Sequence, residues 1–501
     1  MTPVDAGTRA IATRHLSLSL GAIGLGIIAS GRVDAAMAIA TGLVLAALAA
    51  GASALQAPRA SIRRPKLSMS AEVSLEKGTV LQATSVENKK QERRRIMKSP
   101  DFLRKNGDFI EEKAAVDAKM LSEMKSEMLD KMRESNYEVT RGEGNGAVTF
   151  TLAKEYGMCW GAERSIEIAL AATEKFGDKQ LHITNELLHN PGVNKMLEDE
   201  GVSFIEKTGD GGKRFDDVKE GDVVILPAFG ATLAEMQHFS DMGVTTVDTT
   251  CPWVTKVWNV VDKQVQRSMT TIIHGKYAHE EAIATASMCD DYLMVKNIDE
   301  AEYVCNYMLN PSPEGKEDLM KKFAKAMSKG FDPDVHLEKI GIANQTTMYK
   351  KETQAVGRLF EQVILKKYPD EAADRFVAFD TICSATQERQ DAIHEMVDDE
   401  SVKDLDFILV VGGFDSSNTA HLVEIPDEAG IPVFHINEAD CISETNAVSH
   451  RLVSGEMAVE ENWLPTDRPA RIGVTSGAST PDAYVQEALE RLVLLKAAVS
   501  A

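Results

Sequence analysis

Residues 247–255, Val-Asp-Thr-Thr-Cys-Pro-Trp-Val-Thr, read as the end of a β-strand, a cysteine and the first turn of a helix. Val254, Val257, Trp258, Val261 and Val265 continue the stretch at helical spacings, and Pro252 suits a first helical turn. A near copy, Phe-Asp-Thr-Ile-Cys, stands at 379–383, with Ile393, Met396 and Val397 giving the corresponding stripe. Gly157-Met158-Cys159 is a third such turn, between the strand-like run 148–152 and a helix expected over 162–176. Each of Cys159, Cys251 and Cys383 therefore precedes a helix, where free amides and the positive dipole end favour a thiolate.

Working outward, short apolar runs alternate with amphipathic stretches from about residue 147 on. Strands are expected at 148–152, 223–226, 246–248, 271–274, 340–343, 376–379, 407–411, 433–436 and 471–474. This is the pattern of α/β units on mostly parallel strands, in which ligands bind beyond the carboxyl ends. Most of these strands end in small or polar residues, which points to one shared site. Residues 72–145 form a charged, helix-prone extension, read as a packing arm or a partner-facing helix pair. The stretch 297–339 breaks the alternation and reads as a surface insertion.

The chain has 501 residues and a net charge of −22. Residues 1–71 hold seven basic and two acidic residues, leaving a body with 48 basic against 75 acidic. So acidic a body repels polyanions, which argues against nucleic-acid binding. Six cysteines without a Cys-x-x-Cys pair fit neither a disulfide framework nor a zinc ribbon. Residues 35–58 are uncharged and rich in Ala and Leu, with a cleavable Ala52-Ser53-Ala54; residues 59–70 are basic and serine-containing. A signal-like segment followed by a transit-like one resembles the bipartite presequence of proteins sent to plastids with extra membranes. One or two membrane anchors are the alternative, since the run at 35–58 is long enough to span. No later segment spans, so the mature protein is not expected to be membrane-embedded.

Three cysteines separated by 92 and 132 residues meet only through tertiary structure. Three thiolates suit an iron–sulfur cluster, with one iron of a cubane left without a protein ligand, or a zinc that takes a fourth ligand. The plainer alternative is three separate buried thiols, as read for Cys289, Cys305 and Cys441. Other strand ends bring His274, His279, Glu280 and Glu281, then Gly412-Gly-Phe-Asp-Ser416-Ser417-Asn418, then Gly477-Ala-Ser479-Thr480. Donors of this kind suit a phosphate or diphosphate, although each run alone also reads as a helix cap or core polar group. Gly209 to Gly212 follows no strand and is not read as a dinucleotide loop.

Cys159, Asp-Thr-Thr-Cys251-Pro, His-Glu-Glu281, Asn-Gln345-Thr346-Thr347, Asp-Thr-Ile-Cys383-Ser-Ala-Thr, Ser416-Ser417-Asn418 and Gly-Ala-Ser479-Thr-Pro-Asp together resemble the 4-hydroxy-3-methylbut-2-enyl diphosphate reductase family, plastid type. The resemblance covers about 148–495. It implies three α/β domains, at about 146–245, 246–375 and 376–500, in a pseudo-threefold trefoil around a central 4Fe-4S cluster on Cys159, Cys251 and Cys383, one iron remaining open. It implies a two-electron reduction of the hydroxylated diphosphate to isopentenyl and dimethylallyl diphosphates, the last step of the methylerythritol phosphate isoprenoid pathway, in the plastid stroma with ferredoxin as donor. It assigns Glu281 and Thr346 to proton delivery, and His189, His279, Thr346, Ser416, Ser417, Asn418 and Ser479 to substrate binding. Phe229 stands where bacterial members carry a histidine donor, and Glu280 where they carry proline.

Overall fold

The computed structural model describes residues 89–209, 212–399 and 404–500. The chain divides into two units, Met1–Ser74 and Leu75–Ala501; all described residues belong to the second. The expected presequence at 1–71 and the first part of the extension lie outside the described residues. Among the described residues no helix is long and apolar enough to cross a membrane.

In chain order the strands are β1 (Phe102–Leu103), β2 (Glu138–Arg141), β3 (Val148–Leu152), β4 (Leu181–Ile183), β5 (Val202–Phe204), β6 (Val223–Leu226), β7 (Thr245–Asp248) and β8 (Thr270–His274). They continue with β9 (Tyr292–Val295), β10 (Ile340–Asn344), β11 (Phe376–Ala378), β12 (Phe407–Val411), β13 (Val433–Ile436), β14 (Ala447–Arg451), β15 (Met457–Glu461) and β16 (Ala470–Ser476). Three sheets result, ordered β1-β7-β6-β4-β5, β11-β10-β8-β9 and β15-β14-β13-β12-β16-β3-β2. The first two are wholly parallel; the third is parallel at β13-β12-β16-β3 and antiparallel at both edges. The central strands Val-Val-Ile-Leu of β6 and Phe-Ile-Leu-Val-Val of β12 are buried throughout, which is why they read as unbroken apolar runs.

The three cysteines mark the places where the chain changes sheet. Cys159 follows β3 of the third sheet, and its helix, Trp160–Lys175, buries Ile166, Ala169 and Leu170 in a core with Ile183, Ile225 and Val247 of the first. Cys251 follows β7 of the first sheet; its helix, Pro252–Gln266, crosses to the second, where the Gln264 amide donates to the Ile342 carbonyl at 2.8 Å and accepts from the Thr271 hydroxyl at 2.8 Å. Cys383 follows β11 of the second sheet, and its helix, Ser384–Asp398, packs Ile393 and Met396 against Ile408 and Val410 of the third. The circuit closes after three such steps, giving the pseudo-threefold trefoil of α/β lobes.

The expected lobes span about 146–245, 246–375 and 376–500. The opening strand of each range, β3, β7 or β11, is hydrogen-bonded into the preceding lobe's sheet, because the strand–cysteine–helix unit joins two lobes.

The extension is likewise sewn into the body. β1 pairs in parallel with β7, β2 pairs antiparallel with β3, and the Arg93 guanidinium meets Asp262 at 2.9 Å in a buried ion pair. Val116 and Met120 enter the first core, and Leu129 and Met132 the third. It is a packing arm.

The expected surface insertion at 297–339 is also core. The helix Ile298–Leu309 and the segment after it bury Val304, Leu319, Phe323, Phe331 and Leu337 against the second sheet. Phe323 is fully buried, so Phe323→Ala is expected to lower unfolding stability by about 3–5 kcal/mol, read by denaturant titration.

Candidate active site

The carboxyl ends of the three sheets converge on one cavity of about 100 Å³. Its wall contains all eleven residues singled out from sequence: the three cysteines, Glu281 and Thr346, His189 and His279, and Ser416, Ser417, Asn418 and Ser479.

Each cysteine is fixed by the same device. The Cys159 N–H donates to the Ala478 carbonyl at 2.9 Å, that of Cys251 to Ala228 at 3.0 Å, and that of Cys383 to Thr346 at 3.1 Å. In every case the acceptor lies in the loop after the strand paired with the cysteine's own strand: β16 beside β3, β6 beside β7, β10 beside β11. The three turns are thus repeats in hydrogen bonding as well as in sequence.

Gly161 leaves room for the Cys251 thiol beside the helix that follows Cys159. A Cβ there would lie 2.7 Å from the Cys251 Sγ and 3.8 Å from the Cys159 Sγ.

The thiols are not activated by position alone. Burial, only partly offset by the Trp253 N–H, pushes the Cys251 thiol up to about 12, and neighbouring Cys159, Cys383 and Glu281 add to the rise. Burial raises Cys383 too, again with Cys159 beside it. At Cys251 and Cys383 the helix terminus therefore does not suffice to give a thiolate. Thiols raised in this way ionise readily only beside a cation, and this is the fit between Cys251 and Cys383 and a metal centre.

One tetrahedral zinc holds sulfurs about 4 Å apart, given Zn–S bonds of about 2.3 Å. Among the described residues, the single set of three His, Cys, Asp or Glu ligand atoms lying within 4.8 Å of one another is His189, His279 and Glu280.

The His189, His279 and Glu280 set is better suited to anions than to a metal. His279 caps the helix Glu280–Met288, and its Nδ1 accepts the Glu281 N–H at 3.1 Å, so Nε2 carries the remaining proton. Burial, reinforced by His189, lowers His279 to about 3 and keeps the ring a neutral donor. His189 donates through Nδ1 to Glu186 at 2.9 Å, while its buried Nε2 has no hydrogen-bond partner.

Opposite lies the start of the helix Ser417–Glu428. Ser416 caps it, and the Asn418 side-chain oxygen accepts the Ala478 N–H at 2.8 Å, leaving a buried amide NH₂ without a partner. The Ser417 hydroxyl accepts from the Gln345 amide at 3.2 Å, and the Ser479 hydroxyl donates to the His189 carbonyl at 3.4 Å. A Cβ on Gly413 would fall 1.9 Å from that carbonyl oxygen, so only glycine lets the third lobe close on His189.

Glu281 is fully buried. Its carboxylate accepts the Thr346 N–H at 2.7 Å and the Thr346 hydroxyl at 3.0 Å. Burial raises it to about 7 despite both bonds. A carboxyl poised there holds or releases a proton near neutral pH.

Sequence reasoning passed over Gly161 and the part played by Phe229. The Phe229 ring stacks on His189 at 4.4 Å and meets His279 edge-on at 5.7 Å, clamping both imidazoles. The signal for Gly161, a glycine two residues past a cysteine, carried no meaning until the second thiol was placed beside it.

Fold and site together define an α/β enzyme in which three lobes share one cavity, with thiols on one wall and anion donors on another. The chain belongs to the LytB protein family, whose model matches residues 150–493. It is 47% identical over 406 residues to the 4-hydroxy-3-methylbut-2-enyl diphosphate reductase of a Picosynechococcus strain, covering 81% of this chain and 97% of that one. It is 52% identical over 343 residues to the chloroplastic 4-hydroxy-3-methylbut-2-enyl diphosphate reductase of Botryococcus braunii, covering 68% of each. A solved structure of the E-1-hydroxy-2-methyl-but-2-enyl-4-diphosphate reductase from Plasmodium falciparum aligns with a TM-score of 0.48 at 22% identity, over 68% of this chain and 86% of that one.

Proposed function

We propose that this chain is a 4-hydroxy-3-methylbut-2-enyl diphosphate reductase, an oxidoreductase of isoprenoid biosynthesis that removes the allylic hydroxyl to give isopentenyl and dimethylallyl diphosphates. One C–O bond breaks, one C–H bond forms, and two electrons and two protons are taken up with release of one water. The observation that carries this reading is the convergence of three cysteines, a buried acid and an anion pocket in one cavity.

Cys159, Cys251 and Cys383 are the residues to hold a 4Fe-4S cluster. When bound, the cluster supplies electrons one at a time and an iron without a protein ligand. The chain's own residues do the rest. Glu281, neutral at and below about pH 7, carries the proton needed as hydroxide departs, and the Thr346 N–H and hydroxyl fix its orientation. The His279 Nε2–H, the Asn418 amide and the hydroxyls of Ser416, Ser417 and Ser479 are donors for the diphosphate, with His189 beside them. The free backbone amides at the start of the helix Ser417–Glu428 add to these.

Reduced ferredoxin is the electron donor this reading implies. The chloroplastic relative supports a plastid location, with residues 1–71 as the address.

Anaerobic reconstitution should load about four irons and four sulfides per chain, as a cubane requires. The loaded protein should convert the hydroxylated diphosphate when given reduced ferredoxin. A protein that takes up no iron, or that turns over without reductant, would overturn the proposal.

Asn418→Asp offers a sharper check on the pocket. It keeps the oxygen that accepts the Ala478 N–H but replaces a buried donor with a carboxylate facing a dianion. Substrate affinity should fall by two orders of magnitude or more, read as KM, with iron content and melting temperature held.

A further inference from the structure

A second cavity, of about 460 Å³, lies behind the wall formed by His189 and His279, which line both spaces. The larger one also exposes Glu280, Lys207, Lys276 and Arg451, whereas no lysine or arginine lines the smaller. The reaction cavity therefore offers a diphosphate, with its two or three negative charges, mainly neutral donors. The nearest mobile countercharge stands in the outer chamber.

Two of the three cations there are engaged or weak. Arg451 is spent on the Phe414 carbonyl at 2.6 Å, the Gly455 carbonyl at 3.1 Å and Asp415 at 3.2 Å. Burial disfavours the charge on Lys276, and Glu424 only partly restores it.

Lys207 is different. Its ammonium donates to Glu280 at 2.8 Å and its side chain is 56% exposed, free to turn on a flexible stem. The other Glu280 oxygen stands 3.9 Å from the His189 Nε2, the buried nitrogen that has no hydrogen-bond partner. Burial works against the charge on Glu280, but hydrogen bonds from Lys207, Asn185 and the backbone, together with the Lys207 charge, hold the acid down at about 2. A permanent carboxylate at the edge of an anion pocket repels the substrate unless its cation stays within reach.

We propose that the larger cavity is the entry chamber for the substrate's diphosphate, and that Lys207, parked on Glu280, transfers to that diphosphate as it comes to rest against His189 and His279. Lys207 is then a binding residue of the diphosphate site, and Glu280 is its positioning residue. The inference rests on the reductase reading for the identity of the substrate, but not for the chemistry of the anion.

The test uses the reconstituted holoprotein and its Lys207→Met and Glu280→Gln variants, each checked for unchanged iron content and melting temperature. Inorganic pyrophosphate is titrated calorimetrically at low and moderate salt, and KM and kcat are measured with the hydroxylated diphosphate. Loss of Lys207 should weaken pyrophosphate binding and raise KM by about tenfold or more, flatten the salt dependence, and hold kcat within twofold. Glu280→Gln, which removes the repulsion and frees the lysine, should tighten pyrophosphate binding severalfold. Pyrophosphate affinity unchanged within twofold in both variants, or no binding to the parent protein, overturns the proposal even if the parent reduces substrate. A tenfold loss in Lys207→Met with a parent that reduces nothing would uphold the anion chamber and sink the reductase reading instead.

Discussion

Glu281→Gln is expected to cut turnover by about 10²- to 10⁴-fold, the usual span for removing a general acid, while leaving cluster content and substrate affinity nearly intact. The amide has the shape of the acid, so the Thr346 N–H keeps its acceptor at 2.7 Å and the pocket keeps its walls. What is lost is the transferable proton. Retention of more than a tenth of the parent kcat would remove Glu281 from the chemistry.

The pH dependence follows from the same burial. The carboxyl is raised from 4.5 to about 7, so the proton-donating form dominates below 7 and falls about tenfold per unit above it. kcat should be level below neutrality and decline on the alkaline side, and Glu281→Gln should lose that limb along with the rate. Stability moves in the same direction. Between pH 4.5 and 7 the unfolded chain has released this proton while the folded chain still holds it, so raising pH costs the native state about 3 kcal/mol across that window. Glu281→Gln should abolish that slope in denaturant titrations, a readout independent of activity.

How much of this was legible beforehand depended on which force shaped each element. The buried strands β6 and β12 announced themselves because full burial on both faces demands continuous apolar runs. The three-residue β4 and β5 did not, since Leu-His-Ile and Val-Ser-Phe are too short for any period to register. The hairpin β14–β15 is half exposed, and its Ala-Val-Ser-His-Arg and Met-Ala-Val-Glu-Glu resemble loop composition. The stretch 297–339 was misread because charges on its outer face masked the buried Leu319, Phe323 and Leu337. At the site, strand-end positions pointed to the three cysteines, His279, Glu281, Ser416, Ser417, Asn418 and Ser479, the family resemblance added His189 and Thr346, and all eleven line one cavity. What stayed hidden was the close contact between lobes: Gly161 between two thiols, Gly413 against the His189 carbonyl, and Phe229 clamping two imidazoles. Such features depend on which lobe faces which, and no local pattern encodes that.

Gly161→Ala turns this last point into an experiment: the variant should fold at least as well as the parent and fail to hold its metal centre. Alanine is favoured over glycine in a helix by up to about 1 kcal/mol, and Gly161 lies in the first turn of the helix Trp160–Lys175, so the metal-free protein should melt no lower than the parent. The added methyl would sit 2.7 Å from the Cys251 Sγ, inside van der Waals contact, and 3.9 Å from its Cβ. The cheap relief is rotation of the Cys251 side chain, which turns the sulfur away and removes one of three ligands without altering any ligand residue. Iron per chain should fall from about four to below one, and turnover should vanish with it. The threefold repeat sharpens the expectation. After Cys251 the equivalent position is Trp253, and after Cys383 it is Ala385, so a side chain is tolerated at two of the three turns. Only at the Cys159 turn does the following helix pass close enough to a neighbouring thiol to require its absence. A Gly161→Ala protein that loads four irons with the parent's visible spectrum would show that the lobes can part by a few tenths of an ångström, and that the spacing of the thiols is set by the backbone turns alone.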